Sequence, residues 1–309
     1  MRVDPTYRGV LYMLTAALGF SIMGGAAKSL KGSFDAGQLV FWRNLVGLVI
    51  LLPGLIIRPP VQEGGRPGRL LFRGMMGTIA LYTLLYCILH IPLGTAMSYN
   101  LTSALFIAIF GFLFFGEYHG RNVLFAVLLG FTGMLLIYKP VMHFPWYYHM
   151  AGLISGVVSA FAYITLGRLS LYYDPRVIVL SFLTMGTIVP LFTMGIHYLG
   201  AVPADGLFIV AWCWPDGVEW LAVLILGIAA LFGQYFVTKA YGSDKAGVVS
   251  VFGYANIVYS IFIGMVLGDS FPDWMSLLGI SFIIGSGLVI ALQKKRSKPV
   301  LEKIKTNSP

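Results

Sequence analysis

Residues Gly94 to Glu117 read GTAMSYNLTSALFIAIFGFLFFGE, an apolar run of membrane-spanning length whose first turns carry a cluster of polar side chains. The pattern returns at Ala246 to Asp269, which read AGVVSVFGYANIVYSIFIGMVLGD. When the two stretches are aligned from their first residues, Phe110 falls on Phe262, and the terminal Gly-Glu falls on Gly-Asp. The alignment indicates that one helix has been duplicated within the chain.

The duplication extends to neighbouring apolar segments. The same alignment places Gly133 on Gly285 in the segment that follows, and a similar shift places Gly24 of the first segment on Gly167 of the sixth. Because several segments match in the same order, we predict that the chain consists of two repeats.

The composition identifies an integral membrane protein. Hydrophobic residues make up 58% of the chain and charged residues only 11%, whereas a soluble domain contains about 25% charged residues. The apolar runs are about 20 residues long, which is enough for a helix to cross a hydrocarbon core about 30 Å thick. A barrel would show short alternating segments instead, so the predicted fold class is all-α.

The spacing of the apolar runs predicts ten transmembrane helices, five in each repeat. The first repeat occupies residues 8–139, the second occupies 149–293, and a basic tail follows at 294–309. The predicted spans are residues 9–28, 36–57, 70–90, 94–116, 121–139, 149–171, 176–199, 218–238, 246–268 and 274–293.

The distribution of basic residues predicts the orientation in the membrane. With the N-terminus in the cytoplasm, seventeen of the 21 lysines and arginines lie inside, including Arg73. Lys28, Lys31 and Lys139 lie outside, and Arg43 lies within a span. This bias places both termini in the cytoplasm. Because each repeat has an odd number of spans, the repeats are inverted relative to each other, which is a recurring plan of transporters.

Several motifs resemble the EamA type of the drug/metabolite transporter superfamily. They are the Phe-Trp-Arg-Asn run that ends at Asn44, the Leu-Phe-Phe-Gly-Glu end of the fourth span, and a glycine-containing fifth span. The resemblance covers residues 8–293 and implies a carrier of small metabolites in a bacterial inner membrane. It also implies a central cavity lined mainly by helices one, three, four, six, eight and nine. One departure is the ninth span, which ends in Gly268-Asp269 where the family often has Gly-Glu.

Polar side chains at membrane depth are candidate substrate ligands because they are costly to place in hydrocarbon. Phenols, hydroxyls and amides can hydrogen-bond a carboxylate or an amide, and aromatic rings can hold an organic cation. The alternative role, particularly for serine and threonine, is to join helices. The predicted substrate-binding residues are Tyr82, Tyr86, Tyr99, Asn100, Ser159, Tyr163, Gln234, Tyr235, Tyr254 and Asn256.

Arg43 is a formal charge well inside a predicted span. It lies near the outer end of that span, within reach of the interface by snorkelling. Two roles fit this position: an anchor that pairs with an outer acid such as Asp35, or a ligand for a substrate carboxylate. The sequence places no acidic residue at mid-membrane, so an obvious carboxylate proton carrier is missing, which favours facilitated efflux or exchange.

The sequence favours a transporter over an enzyme or a channel. It contains no His-Glu-x-x-His, Gly-x-Ser-x-Gly or phosphate-loop motif and no repeated selectivity element. We expect no cofactor, no metal and no nucleic-acid partner; a small-molecule substrate and the lipid bilayer are the expected partners, and either a monomer or a homodimer fits. The predicted substrate is a small metabolite, first an amino acid or related amine, moved across the cytoplasmic membrane by alternating access. The alternatives are a larger nucleoside-, sugar- or lipid-linked substrate, or a non-transport membrane subunit.

Overall fold

The computed structural model describes residues 5–115, 121–138, 145–200, 203, 208–243 and 252–296 of the 309-residue chain. Within these residues the protein is all helical, apart from an isolated β-bridge between Lys31 and Phe34. The helices are α1 (Pro5–Ser29), α2 (Ala36–Ile57), α3 (Pro67–His90), α4 (Leu93–Leu101), α5 (Ser103–Phe115), α6 (Arg121–Tyr138), α7 (Trp146–Leu169), α8 (Pro175–Tyr198), α9 (Glu219–Ser243), α10 (Ala255–Val266) and α11 (Trp274–Arg296).

Six of the described helices are long and apolar enough to cross a membrane, namely α1, α2, α3, α7, α8 and α9. Each of these apolar stretches has 22 to 25 residues, which is more than the roughly 20 that a crossing needs. The chain is therefore a multi-pass membrane protein. Shorter apolar helical segments occupy Ala255–Val266 and Trp274–Ser286, and the count of ten spans stays a prediction.

Local sequence signals explain where several helices begin. Asp35 starts α2 with a capping box, in which its backbone N–H donates to Gln38 Oε1 at 2.7 Å. Pro67 and Pro175 occupy the first positions of α3 and α8, where a proline costs no helical hydrogen bond. Asp174 caps α8 by accepting a hydrogen bond from the backbone N–H of Arg176 at 2.8 Å.

The fourth predicted span is broken, although the sequence suggested a continuous helix over 94–116. α4 ends at Leu101, α5 begins at Ser103, and Thr102 lies between them. The Thr102 hydroxyl donates to the Tyr99 carbonyl at 2.6 Å, a local side-chain bond that competes with the regular helical ladder. The duplicated stretch behaves alike, because α10 begins at Ala255 and the repeat alignment places that residue on Ser103.

The helices pack in pairs, and at two of these crossings glycines allow a close approach. α1 packs on α9, α3 on α7, α2 on α8, and α6 on α11. A Cβ atom built on Gly19 would lie 3.0 Å from the backbone nitrogen of Gly233, and one on Gly133 would lie 2.6 Å from the Gly279 carbonyl oxygen. At both crossings backbone meets backbone, as is common where small residues let membrane helices approach.

Several predicted features lie outside the described residues. They are the end of the fourth span at Gly116 and Glu117, the outer Lys139, the start of the ninth span at 246, and most of the predicted tail, from 297 onward. The first residues of the tail predicted at 294–309 belong instead to α11, which ends at Arg296.

Candidate functional site

A cavity of about 60 Å³ lies at the centre of the bundle, where α1, α2, α3, α4, α7, α8, α9 and α10 meet. That volume holds only a few water molecules, whereas small-molecule sites usually enclose about 300–1,000 Å³. The cavity is therefore contracted, and a whole metabolite requires the surrounding helices to move apart. Its lining residues are Phe20, Met23, Arg43, Arg73, Gly77, Ala80, Leu81, Leu84, Met97, Asn100, Ser159, Ala162, Tyr163, Phe182, Gln234 and Asn256.

Both predicted repeats contribute to this central cavity. α1, α3, α4, α7, α9 and α10 line it, at the places that the family resemblance implied, and α2 and α8 add further residues. Half of the predicted ligands are brought together there with Arg43, and their role in binding stays a prediction. These ligands are Asn100, Ser159, Tyr163, Gln234 and Asn256.

The lining of the central cavity is positively charged. Arg43 and Arg73 both line it, and none of its described lining residues is Asp, Glu or His. Among the residues that the structure describes, there is also no group of three or more His, Cys, Asp or Glu side chains that could hold a metal ion. The chemistry of this cavity is therefore that of hydrogen-bond donors and cations.

Two asparagines beside the helix breaks connect helices across the cavity. Asn100 Nδ2 donates to Ser155 Oγ at 3.0 Å and to Ser159 Oγ at 2.9 Å, which ties α4 to α7. Asn256 Oδ1 accepts a hydrogen bond from Ser21 Oγ at 3.1 Å, which ties α10 to α1. These serines have the helix-joining role considered above, and Ser159 also lines the cavity.

Arg43 lies in the interior and not at the membrane surface. It is 1% exposed, so the expectation that it snorkels to the interface is wrong: α2 turns this residue toward α1 and α8. Its Nη1 donates to Asn44 Oδ1 at 2.7 Å, and its Nε lies 3.4 Å from Met23 Sδ. The guanidinium carbon lies 5.1 Å from the centroid of the Phe182 ring. Arg43 is thus held by its neighbours while facing the cavity.

Arg73 is a cavity residue that sequence reasoning missed. It was counted at the cytoplasmic face, and that assignment is wrong because Arg73 is 2% exposed and lines the cavity. Its guanidinium carbon lies 5.2 Å from the Phe182 ring centroid, so both arginines face the same ring. Arg73 Nε and Nη1 have no hydrogen-bond partner in the described part of the chain. The signal that could have found it is Pro67, which starts α3 more than a turn before Arg73.

Two predicted ligands on α3 lie away from the cavity lining. The Tyr82 ring packs against Phe208 with centroids 5.1 Å apart. The Tyr86 ring lies 4.5 Å from that of His90 and 5.5 Å from that of Tyr148. Both tyrosines thus contact other aromatic rings and are not among the residues that line the cavity.

The other three predicted ligands outside the lining have different neighbours. Tyr99 Oη lies 2.8 Å from His149 Nδ1. The Tyr235 ring lies 4.7 Å from the Lys239 ammonium nitrogen. Tyr254 is buried at the start of α10. Their role in binding also stays a prediction. These tyrosines could contact a substrate only in a conformation in which the cavity extends to them.

The predicted outer end of the bundle is held by an ion pair between the repeats. Lys28, at the end of α1, forms a salt bridge with Asp269. Lys28 Nζ also donates to the Ile91 carbonyl at 3.0 Å, and Asp269 Oδ2 accepts from the backbone N–H of Leu93 at 2.9 Å. We call these four residues the outer clamp. It fixes the ends of α1 and α4 to the segment after α10.

The predicted cytoplasmic end is held by contacts between the α2–α3 loop and the α7–α8 loop. The Arg66 backbone N–H donates to Tyr173 Oη at 2.9 Å, and the Arg66 guanidinium carbon lies 4.0 Å from the Tyr172 ring centroid. Arg176 Nη1 donates to the Arg58 carbonyl at 2.8 Å. Burial tends to raise the pKa of the Asp174 carboxyl, but hydrogen bonds from Arg176 outweigh it and hold that pKa below its usual value. Both ends of the bundle are thus joined across the repeats.

Comparison with known proteins points to transport. The sequence profile described as "EamA-like transporter family" matches residues 7–139. The chain is 30% identical to the pseudopaline exporter of Pseudomonas aeruginosa, over 96% of this chain and 100% of that protein. It is 31% identical to an uncharacterized transporter of Helicobacter pylori, over 92% and 94% of the two chains. A solved crystal structure with 21% sequence identity superposes with a TM-score of 0.63, over 94% of this chain and 98% of that one.

Proposed function

Because this chain belongs to the EamA-like transporter family, we propose that it is a secondary transporter that moves a small metabolite through the central cavity by alternating access. An amino acid or a related amine is the first substrate class to consider. The observation that carries the proposal is a central cavity between two helix breaks, lined by both predicted repeats and by arginine, amide and hydroxyl side chains. Transporters bind substrate in such a place, near the bilayer midplane between the repeats.

The packing of the helices supports the proposed inverted repeats. In the proposed repeats, α1 is equivalent to α7 and α3 is equivalent to α9. The contact of α1 with α9 then corresponds to that of α7 with α3, and both contacts are extensive. The contacts of α2 with α8 and of α6 with α11 each join equivalent helices. The breaks before Ser103 and Ala255 fall on aligned residues. A pseudo-twofold axis through the cavity accounts for all of these contacts.

The two joined ends supply the moving contacts for alternating access. With both the outer clamp and the cytoplasmic loop contacts formed, we propose that the central cavity is closed to both sides of the membrane. Opening the outer clamp alone gives access from outside, and opening the loop contacts alone gives access from the cytoplasm. A ligand can shift the equilibrium between two conformations only by binding one of them better. We propose that substrate binding favours exchange between the two open states.

Efflux or exchange is the proposed direction, and the bacterial inner membrane is the proposed location. A relative of this chain is named as an exporter, and the described residues that line the cavity include no acidic side chain that could serve as a proton carrier. The lipid bilayer is the proposed environment and a small molecule the proposed partner.

A lipid-linked substrate is the second candidate. A separate apolar pocket of about 450 Å³ lies between α1, α9 and α10. Ile22, Ile225 and Phe262 line it, and Ser29 is its polar residue. Such a surface could hold an acyl chain, whereas the central cavity could hold only the polar head of the same molecule.

Transport by purified protein in proteoliposomes tests the proposal. We expect protein-dependent exchange of at least one labelled small metabolite among glutamate, succinate, lysine, putrescine and uridine, and no movement of a labelled lysophospholipid. Protein-free liposomes provide the background rate. Movement of the lysophospholipid alone would favour the second candidate, and no exchange of any compound by folded protein would contradict transport.

A further inference from the structure

We infer that the substrate carries an oxyanion, in the first place a carboxylate, and that Arg73 is the residue that binds it, assisted by Arg43 and Gln234. The inference rests on the proposed transport function and narrows its substrate class. It separates amino acids and other carboxylic acids from simple amines, which the central cavity would repel.

The first observation is that the unsatisfied atoms in the cavity lining are all hydrogen-bond donors. Arg73 Nε, Arg73 Nη1 and Gln234 Nε2 are buried and have no hydrogen-bond partner among the described residues. Buried polar groups in proteins are otherwise almost always paired. A ligand that satisfies three donors must present acceptor atoms, and a carboxylate offers two oxygens with about four acceptor positions.

The second observation is that two cationic side chains line the cavity and that, within the described part of the chain, no acidic side chain lines it with them. A guanidinium stays protonated at any physiological pH, so both arginines carry their charge inside the bundle. No acidic residue is among the described residues that line the cavity. An isolated buried charge is unfavourable unless it is paired, and an anionic ligand would pair it.

The third observation distinguishes Arg73 from Arg43. Arg43 already donates to Asn44 Oδ1 at 2.7 Å, which fixes its side chain. The described contact of the Arg73 guanidinium is with the Phe182 ring at 5.2 Å, and its Nε and Nη1 have no hydrogen-bond partner among the described residues. Hydrogen bonds from a guanidinium to a carboxylate are among the stronger ones in proteins, and these two donors are available for them. Arg73 is therefore the residue that binds the substrate carboxylate, and Arg43 adds positive potential to the cavity.

Two neighbours keep the Arg73 guanidinium in this place. Phe182 lies within 5.2 Å of both guanidinium carbons, and cation–π contacts of this kind are favourable. Gly77, one turn after Arg73 on α3, leaves the space that the Arg73 Nη1 occupies, because a Cβ there would collide with it. The cavity of about 60 Å³ accommodates a carboxylate group, and the remainder of the substrate enters as the helices separate toward Asn100 and Ser159.

Thermal unfolding of the purified full-length protein tests the inference. Arg73→Gln removes the unpaired charge, so without added ligand we expect its Tm to rise by roughly 2–4 °C. Glutamate and succinate should raise the Tm of the wild type by a similar amount but leave Arg73→Gln unchanged. Arg73→Lys keeps the charge but loses the planar guanidinium with its separate Nε and Nη1 donors, so its affinity for both acids should fall at least about tenfold.

Arg8→Gln is the matched control, because Arg8 is exposed at the predicted cytoplasmic end of α1 and the same change there should leave the response to both acids intact. Stabilisation by inorganic phosphate in place of the acids, lost in Arg73→Gln, would support the oxyanion site and change its ligand to a phosphate. A lower Tm or failed folding of Arg73→Gln without ligand, or an equal response of that variant to the acids, would overturn the inference. Stabilisation and transport of putrescine alone would overturn it and leave transport standing, whereas the absence of any exchange in proteoliposomes would count against the transport function itself.

Discussion

Replacing Asp269 with alanine is expected to open the outer end of the central cavity and to destabilise the closed conformation by roughly 2–3 kcal/mol, between the values typical of exposed and fully buried ion pairs. The Asp269 carboxylate pairs with Lys28 and accepts the Leu93 backbone N–H at 2.9 Å. The two side chains are 12% and 15% exposed. Removing the acid therefore leaves a largely buried ammonium and a backbone donor without their partner.

A double-mutant cycle separates the ion pair from the backbone contact. Asp269→Asn keeps an acceptor for Leu93 but not the charge, so it should have a smaller effect than Asp269→Ala. Lys28→Met combined with Asp269→Ala should be less harmful than Asp269→Ala alone, because no orphaned charge remains. Glu63→Ala, which removes an exposed acid at the opposite end, serves as the control. The free energy of unfolding and the exchange rate in proteoliposomes should both show this order of effects among the variants. Equal effects of Asp269→Ala and Glu63→Ala would show that the outer clamp has no role.

Replacing Gly156 with alanine is expected to destabilise the protein by about 1–3 kcal/mol through overpacking at the break between α4 and α5. A Cβ atom on Gly156 would lie 2.8 Å from the Tyr99 carbonyl oxygen and collide with Thr102 Oγ1. The carbonyl belongs to backbone and cannot move independently, and the Thr102 hydroxyl is already bonded to Tyr99. The new methyl group therefore forces α7 away from the break.

Gly167 on the same helix is the matched control. Nothing lies within 4 Å of a Cβ atom built there, so Gly167→Ala should gain up to about 1 kcal/mol from the higher helix propensity of alanine. The two variants make the same chemical change and are predicted to shift Tm in opposite directions. Similar Tm values for both would mean that α7 does not approach the break as closely as described.

The sequence was sufficient for the helical fold, and half of the predicted ligands line the central cavity, where their role in binding stays a prediction. Asn100 and Asn256 were found because amides are rare at membrane depth, and both lie beside the cavity. Tyr82 and Tyr86 are one turn apart on α3 and therefore share a helix face. Helical spacing defines a face but not what that face contacts, so it could not show that these rings pack against Phe208 and Tyr148.

Arg73 shows a second reason why sequence reasoning was incomplete. Counting basic residues treats every arginine near a span end as cytoplasmic, and the third span was predicted to begin at residue 70. α3 begins at Pro67, so Arg73 lies about 9 Å inside the helix at 1.5 Å per residue. Whether an arginine at that depth faces water or a cavity depends on helix rotation, which is fixed by packing of Gly74 and Gly77 against α8 and not by local sequence.

Accessibility of the central cavity from each side of the membrane tests the account most directly. In a variant with Cys87→Ala and Cys213→Ser, Ala162→Cys places one small thiol in the cavity lining. An impermeant maleimide is then applied to right-side-out and inside-out vesicles. We predict slow labelling from both sides, with outer labelling accelerated by Asp269→Ala. Alternating access through this cavity would be contradicted if the thiol were labelled from one side only, or from neither side, both with and without Asp269→Ala.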